Sequence, residues 1–246
     1  MIIIASDYDG TLNHHGISEE DKGAISKFRK AGNKFGLVTG RDLEQALWVL
    51  KDLKKAKLDV DFVICCTGAV RFNGNGEIES IKKQSSLGTY LEEILEYAKT
   101  LDIGAFRVSN ELTVCHVDTS GNVKQDFSGL NGQLTQANAW FYEEEDAQKF
   151  ADYVTLNFKD KISIFRNGGC IDMPPRGVSK VTGIYDYLSN HPDAKIVTVG
   201  DNVNDVPMLK EFGGYAVSNA REEAKAAAKH QCERIADMIE EIMKEN

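Results

Sequence analysis

The chain has 246 residues, 42% of them hydrophobic and 27% charged, which is typical of a globular protein with one large domain or two modest ones. The formal net charge of −9 argues against a broad binding surface for nucleic acid or for an anionic membrane. No stretch is long enough to span a bilayer, and Asp7 interrupts the apolar start too early for a signal peptide.

The five cysteines indicate a reducing compartment. Their number is odd, and no Cys-x-x-Cys pair occurs. Cys65 and Cys66 lie in an apolar, strand-like run, where we expect them to be small core residues. We therefore expect a cytoplasmic protein without disulfides.

Strand and helix patterns alternate over residues 1–66. The first is a short β-branched run, Ile2–Ala5, which predicts a buried parallel strand. A helix capped by Ser18 and ending near Gly32 follows. The next predicted elements are a strand over Lys34–Thr39, a helix over Leu43–Leu53 and a strand over Phe62–Cys66. Strict alternation of this kind predicts an α/β fold with a doubly wound parallel sheet.

The middle of the chain has a mixed pattern. A hairpin is predicted around the Asn-Gly-Asn-Gly turn at residues 73–76. Beyond it we predict helices over Leu87–Leu101 and Glu143–Phe158, strands over 104–117 and 121–142, and a second hairpin near Gly168. This mixed pattern predicts a second domain, of the α+β class, that is inserted into the first. We place the first domain at 1–79 and 177–246 and the insert at 80–176.

The alternation resumes after the Pro-Pro-Arg-Gly linker at residues 174–177. Ser179 caps a predicted helix that carries Lys180 in its first turn. The remaining predicted elements are a strand over Lys195–Val199, a helix over Asn204–Phe212, a strand over Tyr215–Val217 and two final helices.

Residues that can bind a metal or a phosphate group collect at the predicted strand ends and helix starts. They are Asp7, Asp9, Thr39, Gly40, Lys180, Asp201 and Asp205. Because the carboxyl ends of parallel strands lie along one edge of a sheet, we expect these residues to converge. Paired carboxylates are costly to desolvate without a cation, which favours a divalent metal. The alternative is a set of unrelated local roles: an acidic turn, helix caps and a solvated lysine.

Four motifs in this order resemble those of the haloacid dehalogenase superfamily of phosphohydrolases, in its Cof-type group with a C2B-like α/β cap. The motifs are Asp7-Tyr8-Asp9-Gly10-Thr11, Thr39-Gly40-Arg41, Lys180 before a helix, and Gly200-Asp201-Asn202-Val203-Asn204-Asp205. The resemblance covers nearly the whole chain. It implies a Rossmann-like core carrying an inserted cap that governs substrate specificity.

The resemblance also implies a Mg²⁺-dependent phosphatase that acts on small phosphorylated metabolites, sugar phosphates above all. Asp7 would attack phosphorus and form an aspartyl-phosphate, and Asp9 would act as general acid and then general base. The phosphate-binding residues would be Thr39, Gly40, Lys180 and Asn204. The metal ligands would be Asp7, the Asp9 carbonyl and Asp201, with Asp205 bound directly or through water.

Two other functions stay open at this point. A hexose phosphomutase of the same superfamily shares the motifs, and a phospho-accepting signalling module would use an acidic pocket in another way. One position departs from the resemblance, because Thr67 stands where this group usually has asparagine. Arg107, His116 and Arg166 are polar candidates for substrate contact on predicted cap strands, or they face solvent. His14 and His15 have no metal-ligand spacing and are expected to be solvated.

Overall fold

The structure is a computed structural model that describes residues 1–82, 88–110, 114–117 and 133–245. The helices in this part of the chain, α1 to α8, are Glu19–Lys30, Leu43–Ala56, Gly88–Ala98, Glu144–Phe158, Lys180–Leu188, Val206–Phe212, Glu222–Ala227 and Ile235–Glu245. The strands, β1 to β13, are Ile2–Ser6, Lys34–Val38, Phe62–Cys65, Val70–Asn73, Ile78–Ile81, Ile103–Ser109, Val114–Val117, Gln136–Phe141, Phe165–Asn167, Cys170–Met173, Lys195–Gly200, Tyr215–Val217 and His230–Cys232. Short 3-10 turns occupy Cys66–Gly68 and Val203–Asp205.

The larger sheet has the order β13-β12-β11-β1-β2-β3-β4-β5. From β13 to β3 all neighbours are parallel, and β4 and β5 add an antiparallel hairpin at one edge. The chain leaves β1 toward β2 on one side and reaches β11 on the other. A crevice therefore opens at the carboxyl ends of β1 and β11, where doubly wound sheets bind their ligands.

Strand β1 is buried on both faces, as its uninterrupted apolar sequence predicts. Ile2 and Ile4 belong to the core cluster that packs against α1, α2, α7 and α8. Ile3 and Ala5 belong to the cluster on the opposite face, with α5 and α6. The strand that carries Asp7 is thus held rigidly from both sides.

The smaller sheet is antiparallel in the order β7-β6-β8-β10-β9, and α3 and α4 cover one of its faces. Its core is separate from the two cores of the larger sheet. The α/β class with a parallel core sheet and an additional antiparallel sheet is confirmed. The domain boundaries at 79/80 and 176/177 stay a prediction, and β5 runs across the first of them.

Several predicted elements are wrong in detail. The strand expected over 104–117 is two strands, β6 and β7, that pair antiparallel. Of the strand expected over 121–142, residues 121–132 lie outside the described part of the chain, and within the described part Gln136–Phe141 form a strand. The edge strand His230–Cys232 was not predicted, because three residues carry too little periodicity to read. Cys65 and Cys66 are fully buried core residues, as predicted. No described helix has the length and apolarity needed to cross a membrane.

Candidate active site

Asp7 and Asp9 follow β1 at the crevice, where the sequence places them. The Asp7 amide continues the ladder to β11 by donating to the Val199 carbonyl at 2.9 Å. The chain then turns at Gly10, whose φ of +82° favours glycine. A Cβ at Gly10 would lie 2.4 Å from Asp201 Oδ2, so only glycine lets this turn approach the second carboxylate.

A buried lysine links the carboxylates of three separate segments. Lys180 Nζ donates to Asp7 Oδ1 and to Asp205 Oδ1, both at 2.6 Å. Although burial lowers the pKa of Lys180, the carboxylates of Asp205 and Asp7 outweigh it and raise that pKa. The lysine is therefore a permanent positive charge in the site.

The position of Lys180 is set by the start of α5. Ser179 caps the helix by accepting from the Thr182 amide, as the sequence predicts. Gly183 lies so close to Gly68 that a Cβ on it would be 2.8 Å from the Gly68 Cα. This close approach holds the amino end of α5 against the turn that follows β3, within reach of Asp7.

Asp7, Asp201 and Asp205 form a buried acidic cluster whose nearest carboxylate oxygens lie within 4.8 Å of one another. Burial raises the pKa of Asp7 well above its usual range and raises that of Asp201 to about 6. Thr11 donates to Asp201 Oδ1 at 2.6 Å, whereas the Oδ2 atoms of Asp7 and Asp201 accept from no described residue. Three buried carboxylates that share a single lysine and keep these oxygens free fit a small oxygen-seeking cation such as Mg²⁺.

Asp205 binds the loop after β11 as well as Lys180. Its Oδ2 accepts from the amides of Asp201 and Asn202, each at 3.1 Å, and so fixes the loop after β11. Its Oδ1 is the lysine partner. Both oxygens of Asp205 are engaged, which makes it an orienting residue for Asp201 and Lys180.

The predicted phosphate-binding residues border the same crevice. The Thr39 hydroxyl accepts from the Arg41 amide at 3.2 Å, which leaves its proton available for donation. The Gly40 amide donates to no described residue. Asn204 is buried, and its Oδ1 has no hydrogen-bond partner. These three groups lie beside Asp7 with unused hydrogen-bonding capacity.

Asp9 is placed differently from Asp7. Its carboxylate is bound in bidentate fashion by Arg41, at 2.8 Å from Nε and 2.7 Å from Nη2, and its side chain is 48% exposed. It is not part of the acidic cluster. The Asp9 carbonyl, the expected metal ligand, accepts no hydrogen bond from the described residues. Its role as a ligand stays a prediction.

A cavity of about 700 Å³ opens above these groups, between the two sheets. It is lined from the larger sheet's side by Asp7, Asp9, Thr39, Gly40, Arg41, Asp42, Gln45, Trp48, Asn202 and Asn204. From the smaller sheet's side it is lined by Ala105, Arg107, Asn138, Ala139, Trp140, Asn167, Cys170 and Asp172. Of the three polar cap candidates, Arg107 faces the cavity, whereas His116 and Arg166 bind the surface carboxylates of Glu44 and Glu144.

Asp172 is a site residue that the sequence analysis missed. It is buried, accepts from Asn138 Nδ2 at 2.6 Å, and approaches Gly40 so closely that a Cβ there would lie 2.3 Å from its Oδ2. A lone acid in the otherwise apolar strand Cys170–Met173 was the available signal. Asp172 thus brings a carboxyl from the smaller sheet beside Gly40, one of the predicted phosphate-binding residues.

Thr67, which stands where the family group usually has asparagine, connects the two sheets. Its hydroxyl donates to Gln136 Oε1 at 2.9 Å, and Gln136 Nε2 donates to the Gly40 carbonyl at 2.7 Å. Thr67 has a φ of +52°, a conformation that β-branched residues adopt at a cost and that asparagine adopts more readily. In this chain the threonine makes a buried hydrogen bond to Gln136, which in turn supports the loop that contains Gly40.

We expect Asp172→Asn to stabilise the protein more at pH 8 than at pH 5. Burial raises the pKa of Asp172 to about 7, whereas an aspartate in an unfolded chain titrates near about 3.9. Between these values the folded protein binds more protons than the unfolded chain, so its stability falls as the pH rises. Asparagine removes that dependence. Melting temperatures of both proteins at the two pH values test this, and a difference that does not grow with pH would contradict it.

The chain is similar to known proteins in both sequence and fold. The sequence pattern of the family described as haloacid dehalogenase-like hydrolase matches residues 4–238. The Escherichia coli (strain K12) protein 5-amino-6-(5-phospho-D-ribitylamino)uracil phosphatase YbjI is 32% identical over 91 residues, which span 34% of each chain. The chain therefore spans about a third of that relative's length.

Solved structures share the fold over the full length. A haloacid dehalogenase-like hydrolase from B. subtilis superimposes with a TM-score of 0.80 at 19% identity, covering 98% of this chain and 99% of the other. The HAD subclass IIB sugar phosphatase BT4131 superimposes with a TM-score of 0.76 at 21% identity, covering 100% and 98%. At these identities the likeness shows the fold.

Proposed function

The chain belongs to the haloacid dehalogenase-like hydrolase family, and from that premise we propose that it is a Mg²⁺-dependent phosphatase of small phosphorylated metabolites, sugar phosphates foremost. The observation that carries the proposal is the Asp7–Lys180–Asp205 cluster with Asp201 beside it, whose Asp7 lines a cavity of about 700 Å³. Phosphate-monoester hydrolysis needs charge neutralisation and alignment above all, and this cluster is suited to supply both.

In the first step Asp7 acts as the nucleophile. Its Oδ2, which accepts no hydrogen bond from a described residue, attacks phosphorus while the bond from phosphorus to the leaving oxygen breaks. Lys180 holds Oδ1, which orients the carboxylate, and supplies positive charge beside the nucleophile. Asp9 donates a proton to the leaving oxygen, which departs as an alcohol. The product is an aspartyl-phosphate on Asp7.

In the second step water displaces Asp7. Asp9, now ionised, takes a proton from the attacking water, and the bond from phosphorus to Asp7 breaks. The carboxylate of Asp7 and inorganic phosphate result, which restores the enzyme. The Thr39 hydroxyl, the Gly40 amide and the Asn204 Nδ2 group hold the phosphoryl oxygens throughout as hydrogen-bond donors.

Asp7, Asp201 and the Asp9 carbonyl would hold the Mg²⁺, with Asp205 orienting them. When bound, the ion supplies positive charge to the phosphoryl oxygens and to the nucleophile. The fit rests on the three buried carboxylates and on the raised pKa values of Asp7 and Asp201, since a cation relieves the cost of burying their charges.

Arg41 must release Asp9 before Asp9 can donate a proton. The bidentate pair occupies both carboxylate oxygens of Asp9, so the leaving oxygen cannot reach them while the pair holds. Because the side chain of Asp9 is 48% exposed, the pair can rearrange when a substrate enters the cavity.

We expect Asp9→Asn to lower turnover by about 10²–10⁴-fold for substrates with poor leaving groups. The loss should be much smaller with p-nitrophenyl phosphate, whose leaving group needs little protonation. Steady-state rates on glucose 6-phosphate and p-nitrophenyl phosphate measure the two losses. The exposed Asp193→Asn serves as a matched control. Equal losses on both substrates would rule out Asp9 as the general acid.

A panel of phosphorylated metabolites tests the proposed function as a whole. Purified enzyme with Mg²⁺ should release inorganic phosphate from several sugar phosphates, and excess EDTA should stop the release. Release from glucose 6-phosphate without any bisphosphate activator separates a phosphatase from a hexose phosphomutase. A phosphorylated protein that persists for minutes, with little phosphate released, would instead indicate a signalling module.

A further inference from the structure

The ionisable residues of the cavity restrict the kind of leaving group it can hold. Resting on the proposed function, in which the cavity takes a sugar monophosphate, we propose that the ion pair between Asp42 and Arg107 is the specificity determinant that rejects a second anionic group on the leaving group.

The lining holds no free cation among the described residues. It includes four aspartates and two arginines, so acids outnumber bases before any substrate enters. Arg41 is bound to Asp9 by two hydrogen bonds, and Arg107 is bound to Asp42 at 3.0 Å. Arg41 lies at Asp9, next to the reacting phosphate, so Arg107 is the cation that a second phosphate or a carboxylate on the leaving group would have to recruit.

Arg107 is held firmly by its partner. Asp42 is fully buried, and it caps α2 by accepting from the Gln45 amide through Oδ1 while Oδ2 accepts from Arg107. Arg107 lies on β6, so the pair joins the smaller sheet to the larger one. An anion that recruited Arg107 would leave a buried carboxylate without its cation, and such a charge is strongly destabilising.

The apolar part of the lining suits a ring. The chain has two tryptophans, and both line the cavity, Trp48 with 43% and Trp140 with 40% of its surface exposed. The Trp140 indole lies against the Gly104 backbone, where a Cβ would come within 2.1 Å of its Cζ3. Large apolar side chains kept exposed inside a cleft form a binding surface.

Polar groups beside the indoles are uncharged amides and one carboxyl. Asn138 Oδ1 is buried without a hydrogen-bond partner, and Asn167 lines the same cavity. Amide groups and Asp172 can exchange hydrogen bonds with hydroxyls, whereas none of them offers a positive charge. An apolar platform with neutral donors and acceptors matches a carbohydrate ring better than an acid.

Three phosphate monoesters with the same number of carbon atoms test whether the cavity rejects a second anionic group. Glucose 6-phosphate has an uncharged ring, sorbitol 6-phosphate an uncharged open chain, and 6-phosphogluconate a carboxylate. We expect kcat/KM for glucose 6-phosphate to exceed that for 6-phosphogluconate by about tenfold or more. Sorbitol 6-phosphate should fall between them. Equal values for the ring and the acid would overturn the inference.

Asp42→Asn provides a gain-of-function test. Asparagine still caps a helix, so α2 is kept, while Arg107 loses its anionic partner and becomes free to meet an anion. We expect the ratio of kcat/KM for 6-phosphogluconate to that for glucose 6-phosphate to rise by about tenfold. The double variant Asp42→Asn with Arg107→Gln should lose this gain. A merely structural role of Asp42 would lower both rates and leave their ratio unchanged, which would overturn the inference.

Binding can be followed without turnover. Because both tryptophans line the cavity, the intrinsic fluorescence of the Asp7→Asn protein should change saturably as glucose 6-phosphate is added with Mg²⁺. Half-saturation by 6-phosphogluconate should need about tenfold more ligand. Equal half-saturation would refute the charge selection even if turnover cannot be measured. If no monophosphate releases phosphate at all, the proposed function fails, and this titration still decides the inference.

Discussion

Asp7→Asn is expected to abolish phosphate release, by about 10³-fold or more, while leaving the fold intact. The substitution removes the attacking oxygen and one negative charge of the acidic cluster. The asparagine oxygen can still accept from Lys180, which keeps Asp205 as its other partner at 2.6 Å. Because burial raises the pKa of Asp7, its charge is costly to keep, and removing it should not lower the melting temperature.

The measurement combines phosphate release with intact-mass analysis of rapidly quenched enzyme. Wild-type protein should show a phosphorylated form during turnover, and the variant should not. Asp193→Asn, which changes an exposed aspartate in the same way, should retain full activity. Residual activity above a few per cent in the Asp7 variant would exclude Asp7 as the nucleophile.

Lys180→Met should damage both activity and stability. The side chain of Lys180 is 2% exposed, and its two partners, Asp7 and Asp205, are 8% and 0% exposed. Methionine fills a similar volume but leaves two buried carboxylates without their cation, a loss of about 3–5 kcal/mol in the free energy of unfolding. The loss of charge beside the phosphoryl group should lower kcat/KM by about 10²–10³-fold.

Chemical denaturation and steady-state kinetics check the two losses. Lys149→Met removes a lysine from the exposed face of α4, where its side chain is 50% exposed, and should change neither measurement appreciably. Mg²⁺ should recover part of the stability of the Lys180 variant, since a cation among the same carboxylates offsets their repulsion. A Lys180 variant as active as wild type would remove this lysine from the mechanism.

The sequence was sufficient for the elements and residues whose signal is local. The buried strand Ile2–Ser6 shows in four consecutive apolar residues, and the caps Ser18 and Ser179 show in the residues that follow them. The convergence of Asp7, Lys180, Asp201 and Asp205 follows from one rule, because the carboxyl ends of parallel strands share an edge. The resemblance to the family was visible for a related reason, because its four motifs are short local sequences.

Contacts made by side chains from distant parts of the chain could not be predicted. The bidentate pair of Asp9 with Arg41, the second role of Asp205 and the bond from Thr67 to Gln136 depend on rotamers and on how the two sheets face each other. The short strand His230–Cys232 forms because it pairs with β12, a tertiary cause that three residues do not encode.

The sequence by itself determined the α/β class, the inserted antiparallel segment and the acidic centre with its lysine, because hydrophobic periodicity, helix caps and strand ends are local patterns. Only the tertiary structure decided what surrounds that centre. Asp172, Trp140 and the pairing of Arg107 with Asp42 belong to the cavity because one sheet lies over the edge of the other. The exposure and charge of a side chain in such a cleft are set by its neighbours in space, which a linear pattern does not contain.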